Sequence, residues 1–206
     1  MWPRREHFNL YNTFDHPHFG LCANVDITEL YPYVKQRQIS INVAIIYILV
    51  RAANAIPEFR QRIRGGGVVE HEVVHPSTTV MADKVDIFSF CQIEFCKDFP
   101  EFSARADQQI ANAKKRPTLK NKPGKDDLLF LTAIPWVSFT SFIHPANLQP
   151  PDSVPRLSWG KFFEEGQSIK MPLGVQVHHA LMDGKHVGRF YEEVQRLFDR
   201  PGRTLS

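Results

Sequence analysis

The chain has 206 residues, 43% of them hydrophobic, and a formal charge of +3 at neutral pH. That length and apolar share suit one domain, residues 1–206, with a core that needs no disulfide or metal staple. The charge is well below that of a nucleic-acid coat, and the longest apolar run, Val43 to Val50, is far short of the roughly 20 residues of a membrane span, so neither nucleic acid nor membrane is expected as a partner. Cys22, Cys91 and Cys96 are odd in number and the opening MWPRREHF lacks a secretory pattern, which points to a reducing cytoplasm.

Residues 19–27, FGLCANVDI, alternate with the period of two expected of a half-buried strand. Thr28 offers an N-cap for a short helix with Pro32 in its first turn, and Ser40 or Asn42 for the next helix, INVAIIYILVRAANA. The latter is apolar on nearly every side and belongs deep in the fold. VVEHEVV, TTVMA and IFSFCQIEF read as strands, after which Phe99, Phe102, Ala106, Ile110 and Ala113 share one helical face. Lys114 to Asp127 holds six basic residues among Pro, Gly and Asn, as an exposed loop does. Strands follow in DLLFLTAI, in WVSFTSFI from Trp136 to Ile143, in RLSWGKFF and in SIKMPLGVQVHH, the last two joined as a hairpin across Glu164 to Gln167. Phe190, Tyr191, Val194, Leu197 and Phe198 mark an amphipathic closing helix. This order predicts an α/β fold, a two-layer sandwich of a large mixed sheet covered by helices.

The chemistry-bearing stretch is QVHHALMDGKHVGRF, Gln176 to Phe190. Two adjacent strand residues point to opposite faces, so only one of His178 and His179 can serve a given site. Asp183 stands where the last helix begins and suits an N-cap. His16 and His18, one residue apart with no third ligand, do not make a metal site, and none is expected.

HHALMDG matches the His-His-x-x-x-Asp-Gly pattern, and the chain resembles the chloramphenicol acetyltransferase family there. WPRREHFNLY, NAIPEFR, VHPSTTV and IPWVSFTSF resemble further blocks of that family in the family's order, so that the resemblance runs from Trp2 to about Phe198. It implies acetyl transfer from acetyl-CoA, as co-substrate with no tightly bound cofactor, to a hydroxyl of chloramphenicol. His179 corresponds to the general base, a task suited to an imidazole because its ordinary pKa lies near neutrality. Ser141 corresponds to the hydroxyl that stabilises the tetrahedral oxyanion, with Ser138 and Thr140 as neighbouring hydroxyls on the expected strand. Asp183 corresponds to an aspartate paired with the arginine at Arg4, for which Arg5 competes by sequence alone, and Ser158 to a hydroxyl holding a water.

Tyr11, Phe19, Thr79 and Phe88 correspond to the acceptor pocket, and Lys161 and Phe162 to coenzyme contacts. The resemblance further implies a homotrimer with active sites between subunits. Asp15, His16 and His18 are more polar than the family's usual residues there and leave open another hydroxyl or thiol acceptor. A non-catalytic binder on the same fold is the remaining alternative, disfavoured by the joint presence of His179, Ser141, Asp183 and Arg4.

Overall fold

The computed structural model describes residues 2–120 and 124–206. Its elements run α1 (Arg5–Tyr11), β1 (His18–Asp26), α2 (Leu30–Gln36), α3 (Ile41–Asn54), α4 (Pro57–Arg60), β2 (Gln61–Arg64), β3 (Gly67–Glu70), β4 (His75–Met81), β5 (Phe88–Gln92) and α5 (Phe99–Lys115). They continue with β6 (Leu128–Ile134), β7 (Arg156–Gly160), β8 (Phe163–Glu165), β9 (Ser168–His178), α6 (Gly184–Phe198) and α7 (Pro201–Thr204). Seven strands form one sheet in the order β1-β9-β7-β6-β4-β5, with β8 folded onto β9. β4, β6 and β7 are mutually parallel, and the other pairings are antiparallel. β2 and β3 make a separate ribbon. The expected mixed sheet with covering helices is present.

Strand parity assigns the two faces. Leu129, Leu131, Leu157, Trp159, Leu173, Val175 and Val177 join the core cluster with α3, α5 and α6. α3 lies deepest, with Ser40 accepting from the Val43 N–H as its cap and ten residues buried, as its all-round apolar sequence requires. The intervening positions, among them Phe130, Thr132, Arg156, Ser158, Gly174, Gln176 and His178, therefore face away from the helices.

Three local expectations are corrected. Thr28 does not cap α2: its Oγ1 accepts from the Ile169 N–H, while its own N–H donates to Asp26, so the side chain is committed to the β1–β9 end. Only the start of VVEHEVV is a strand, because β3 pairs with β2 in the ribbon and the chain then turns to enter β4. WVSFTSFI is not a strand. β6 is already flanked by β4 and β7, so no edge is left beside it, and residues 135–147 instead cross the outer face of the sheet.

Two glycines make that crossing possible. A Cβ at Gly160 would lie 2.7 Å from the Val137 carbonyl and 3.0 Å from the Phe139 ring, and one at Gly174 would lie 2.5 Å from Ser158 Oγ. Gln176 fastens the far end, accepting from the His144 N–H at 2.8 Å. The basic loop follows α5 as expected, although its residues 121–123 lie outside the described residues.

Arg62 ties the ribbon to the main sheet. It is fully buried and donates to the carbonyls of Phe59, Gln61, Asp126 and Leu128. Loss of solvation pulls its pKa down to about 10, which still leaves it charged at neutral pH.

Candidate active site

The two histidines separate by environment. His178, the last residue of β9, is 1% exposed, and its Nδ1 accepts from the Ala180 N–H, which a protonated ring could not do. Burial, with help from the neighbouring His18, lowers its pKa to about 4. It is a neutral structural group.

His179 is half-buried at the start of the turn that follows. Its N–H donates to the Pro17 carbonyl at 2.8 Å, extending the β1–β9 pairing by one residue. Its ring stacks on Tyr11 at 3.9 Å and 9°, with Phe19 at 4.6 Å. Nδ1 lies 3.1 Å from the Met182 carbonyl. A carbonyl only accepts, so Nδ1 carries the proton and the neutral ring presents the lone pair of Nε2.

The turn that supplies this carbonyl is fixed from several sides. Leu181 and Met182 donate to the His178 carbonyl, and Asp183 then caps α6, accepting from the Lys185 N–H at 3.0 Å. Arg4, and not Arg5, reaches Asp183, with Nη1 2.7 Å from Oδ2, while Nη2 donates to the His179 carbonyl at 3.1 Å. Partial burial works against the Asp183 charge, but Arg4, His186 and the Lys185 N–H outweigh it and hold the carboxyl at about 2. Sequence reading missed α1, which carries Arg4 at its N-cap and Tyr11 at its end, and missed His186, whose Nδ1 completes a capping box by accepting from the Asp183 N–H. A polar side chain three residues after an N-cap was the available signal.

Among the expected acceptor residues, Tyr11 and Phe19 meet at His179, whereas Thr79 and Phe88 lie toward the other end of the sheet. Thr79 lines a pocket of about 640 Å³ with Pro135, Trp136, Lys161 and Phe162, at the carboxyl ends of β4, β6 and β7. The N-terminus of α3, Ser40 to Val43, also lines it, and Lys114 adds a cation. A helix N-terminus with nearby ammonium groups suits an anionic ligand. Phe88 is 45% exposed beside Phe90.

Ser141 is exposed on the irregular crossing, with no strand to orient it. Ser158 is 1% exposed and sits level with Thr132 on β6 and Gly174 on β9. Thr132, half-buried on the outer face and next to Ser158, was legible from strand parity in LLFLTAI.

His179 and the pocket stand apart within one chain. β9 runs antiparallel to β7, and seven residues separate His179 from Pro172, whose ring lies beside Gly160 at the pocket end. At about 3.3 Å per residue this is about 23 Å. His16 and His18 have their ring centres 5.9 Å apart, and among the described residues no group of three His, Cys, Asp or Glu side chains could hold a metal ion. No described helix is long and apolar enough to cross a membrane.

A model of the family "Chloramphenicol acetyltransferase" matches residues 1–195. A chloramphenicol acetyltransferase of Klebsiella sp is 35% identical over 201 residues, covering 97% of this chain and 91% of the relative. One from Bacillus pumilus is 32% identical over 204 residues, covering 98% and 93%. Among solved structures, a chloramphenicol acetyltransferase superposes with a TM-score of 0.86 at 26% identity over 96% of each chain. The dihydrolipoamide acetyltransferase of Azotobacter vinelandii shares the fold, with a TM-score of 0.71 at 17% identity over 98% of this chain and 88% of that one.

Proposed function

The chain belongs to the chloramphenicol acetyltransferase family and is an acyltransferase, and from that premise we propose that it transfers the acetyl group of acetyl-CoA to a hydroxyl of chloramphenicol. The observation that carries this reading is His179, whose Nδ1 is committed to the Met182 carbonyl and whose Nε2 has no hydrogen-bond partner among the described residues.

Nε2 takes the proton of the acceptor hydroxyl as that oxygen attacks the thioester carbonyl carbon. The tetrahedral centre carries its charge on the former carbonyl oxygen and then expels the coenzyme thiolate, which recovers the proton from His179. No acetyl-enzyme forms, so protein recovered after exposure to labelled acetyl-CoA carries no label. Tyr11 and Phe19 give the acceptor side an aromatic wall. Acetyl-CoA occupies the pocket at the carboxyl strand ends, its phosphates drawn by the α3 N-terminus and Lys161 and its adenine placed near Phe162, with no other cofactor held.

The oxyanion requires a hydroxyl donor. Ser141 has the resemblance of its block in its favour, whereas Thr132 is half-buried on the outer face of the sheet, level with Ser158, and does not line the pocket. We assign the donor to Ser141 and a water-holding role to Ser158. Ser141→Ala is expected to lower kcat by about 10²-fold, and Thr132→Val by far less; the opposite order moves the role to Thr132.

Because His179 lies about 23 Å from the pocket along one chain, the site requires a second copy, whose pocket, Thr79 and Phe88 approach this copy's His179. Trp136 at 69%, Val137 at 55% and Ile143 at 76% exposure form the apolar surface that such an assembly covers. We take the assembly to be the homotrimer. A sedimentation mass of one subunit for fully active protein contradicts it.

The test of function is thiol release from acetyl-CoA with and without chloramphenicol. Stimulation by the drug supports the reading. Binding of acetyl-CoA without such stimulation redirects it to another hydroxyl or thiol acceptor, starting with the exposed Asp15 and His16 on the loop whose Pro17 carbonyl holds the His179 N–H.

A further inference from the structure

We propose that Glu58 and His186 are positioning residues for His179, acting as the outer end of a polar chain that runs from α4 to the base. This inference rests on His179 being the general base. Glu58 Oε1 lies 3.4 Å from His186 Nε2, and His186 Nδ1 accepts from the Asp183 N–H at 3.1 Å. The other Asp183 oxygen holds Arg4, and Arg4 holds the His179 carbonyl. Four side chains from α4, α6, the N-terminus and the turn before α6, together with the His179 backbone carbonyl, are thereby linked.

The link is built on rigid parts. Phe59 stacks on Phe190 at 4.8 Å and 23°, both fully buried, which fixes α4 against α6 and sets Glu58 opposite His186. The other Glu58 oxygen, Oε2, is buried with no partner, so the carboxylate is kept in a costly place by what it does through Oε1. His186 is 12% exposed and lies between two carboxylates.

The consequence concerns the tautomer of His179. Nδ1 keeps its proton, donated to the Met182 carbonyl, only while the turn from Ala180 to Asp183 holds its shape. Asp183 anchors the end of that turn, through its N–H on His186 and its carboxylate on Arg4. Releasing the His186 end lets Asp183 rotate, loosens the Met182 carbonyl, and admits the alternative tautomer with the proton on the nitrogen that must act as base. Misplacement of a catalytic group by about 1 Å can cost about 10²-fold.

The test compares His186→Gln, His186→Ala and Glu58→Gln in the full chain. Gln can still accept from the N-cap N–H, as capping-box residues do, so His186→Gln keeps the helix start while breaking the link to Glu58. Expected are a drop in kcat of about tenfold for His186→Gln, a larger one for His186→Ala, and a smaller one for Glu58→Gln, with KM for acetyl-CoA unchanged because the coenzyme pocket is at the other sheet end. Nitrogen-15 spectra of histidine-labelled protein should give one His179 tautomer, proton on Nδ1, in the parent and a mixture in the variants. Unaltered kcat and an unaltered His179 signal in folded His186→Ala would overturn the inference. His179→Ala run alongside separates the two failures: if it retains activity, the base assignment falls, and if it is inactive while the other variants match the parent, only the positioning role falls.

Discussion

Replacing Asp183 by Asn removes one charge and little else, because Asn is as good an N-cap as Asp and its oxygen can still accept from the Lys185 N–H. What is lost is the pair with Arg4. The Asp183 carboxyl is held at about 2 against an ordinary 3.8, a difference equivalent to about 2.5 kcal/mol at about 1.4 kcal/mol per tenfold change. The side chain is 34% exposed, so solvent screening reduces this to about 1 kcal/mol. Arg4, only 12% exposed, is then left with the His179 carbonyl alone, which adds to the cost.

Urea unfolding at pH 7 and fixed protomer concentration should therefore find Asp183→Asn destabilised by about 1–2 kcal/mol. Asp183→Ala should lose about 1 kcal/mol more, from the cap. Asp183→Asn and Arg4→Gln combined should cost less than the sum of the two, since each breaks the same pair. Because Arg4 also holds the turn that orients His179, kcat should fall by about tenfold in Asp183→Asn. An Asn variant with parent stability and parent kcat would refute this reasoning, and equal stabilities for Asn and Ala would show that the cap contributes nothing.

Acid should weaken the fold before the carboxylates protonate. His178 and His144 are both pushed by burial to about 4 from an ordinary 6.5, so the unfolded chain takes up protons first; stability is whole above pH 6.5 and falls by a few kcal/mol as pH drops toward 4. Urea midpoints at pH 7.5, 6 and 5 check this, and a flat series contradicts it. Arg62→Leu should cost about 3 kcal/mol or more, since four carbonyls lose their donor, and a midpoint within error of the parent refutes that account. Chains carrying only His179→Ala, unfolded and refolded together with chains carrying only Ser141→Ala, should regain activity that neither has alone if base and donor come from different copies. No recovery, with mixed assemblies demonstrated, contradicts the shared site.

Periodicity alone was enough for the apolar elements. α3 declares itself by being apolar on nearly every side, the closing helix α6 by one apolar face, and β1 by alternation in its sequence. The stretch from Trp136 to Ile143 misled because alternating Val, Phe and Ser is equally consistent with a strand and with a segment lying across a sheet. Only the absence of a free edge beside β6, and the flat surface left by Gly160 and Gly174, decides between them.

The resemblance, and not the strand reading, singled out Ser141; strand parity in β6 puts a second hydroxyl, Thr132, beside Ser158. The resemblance distinguished His179 from His178, and the two rings differ in environment: one accepts from a backbone N–H inside the sheet, and the other stands against Tyr11 with its Nε2 making no hydrogen bond among the described residues. The division of the acceptor residues between two ends of the sheet lies in tertiary placement, which no spacing along the chain encodes.

The central claim is tested most directly by measuring formation of monoacetylated chloramphenicol at saturating acetyl-CoA for the parent protein and for His179→Ala. Rapid product formation by the parent, reduced by about 10²- to 10⁴-fold in the variant with acetyl-CoA affinity retained, is the predicted result. A parent that makes no acetylated drug, or a variant that makes it within a few-fold of the parent rate, would contradict the account.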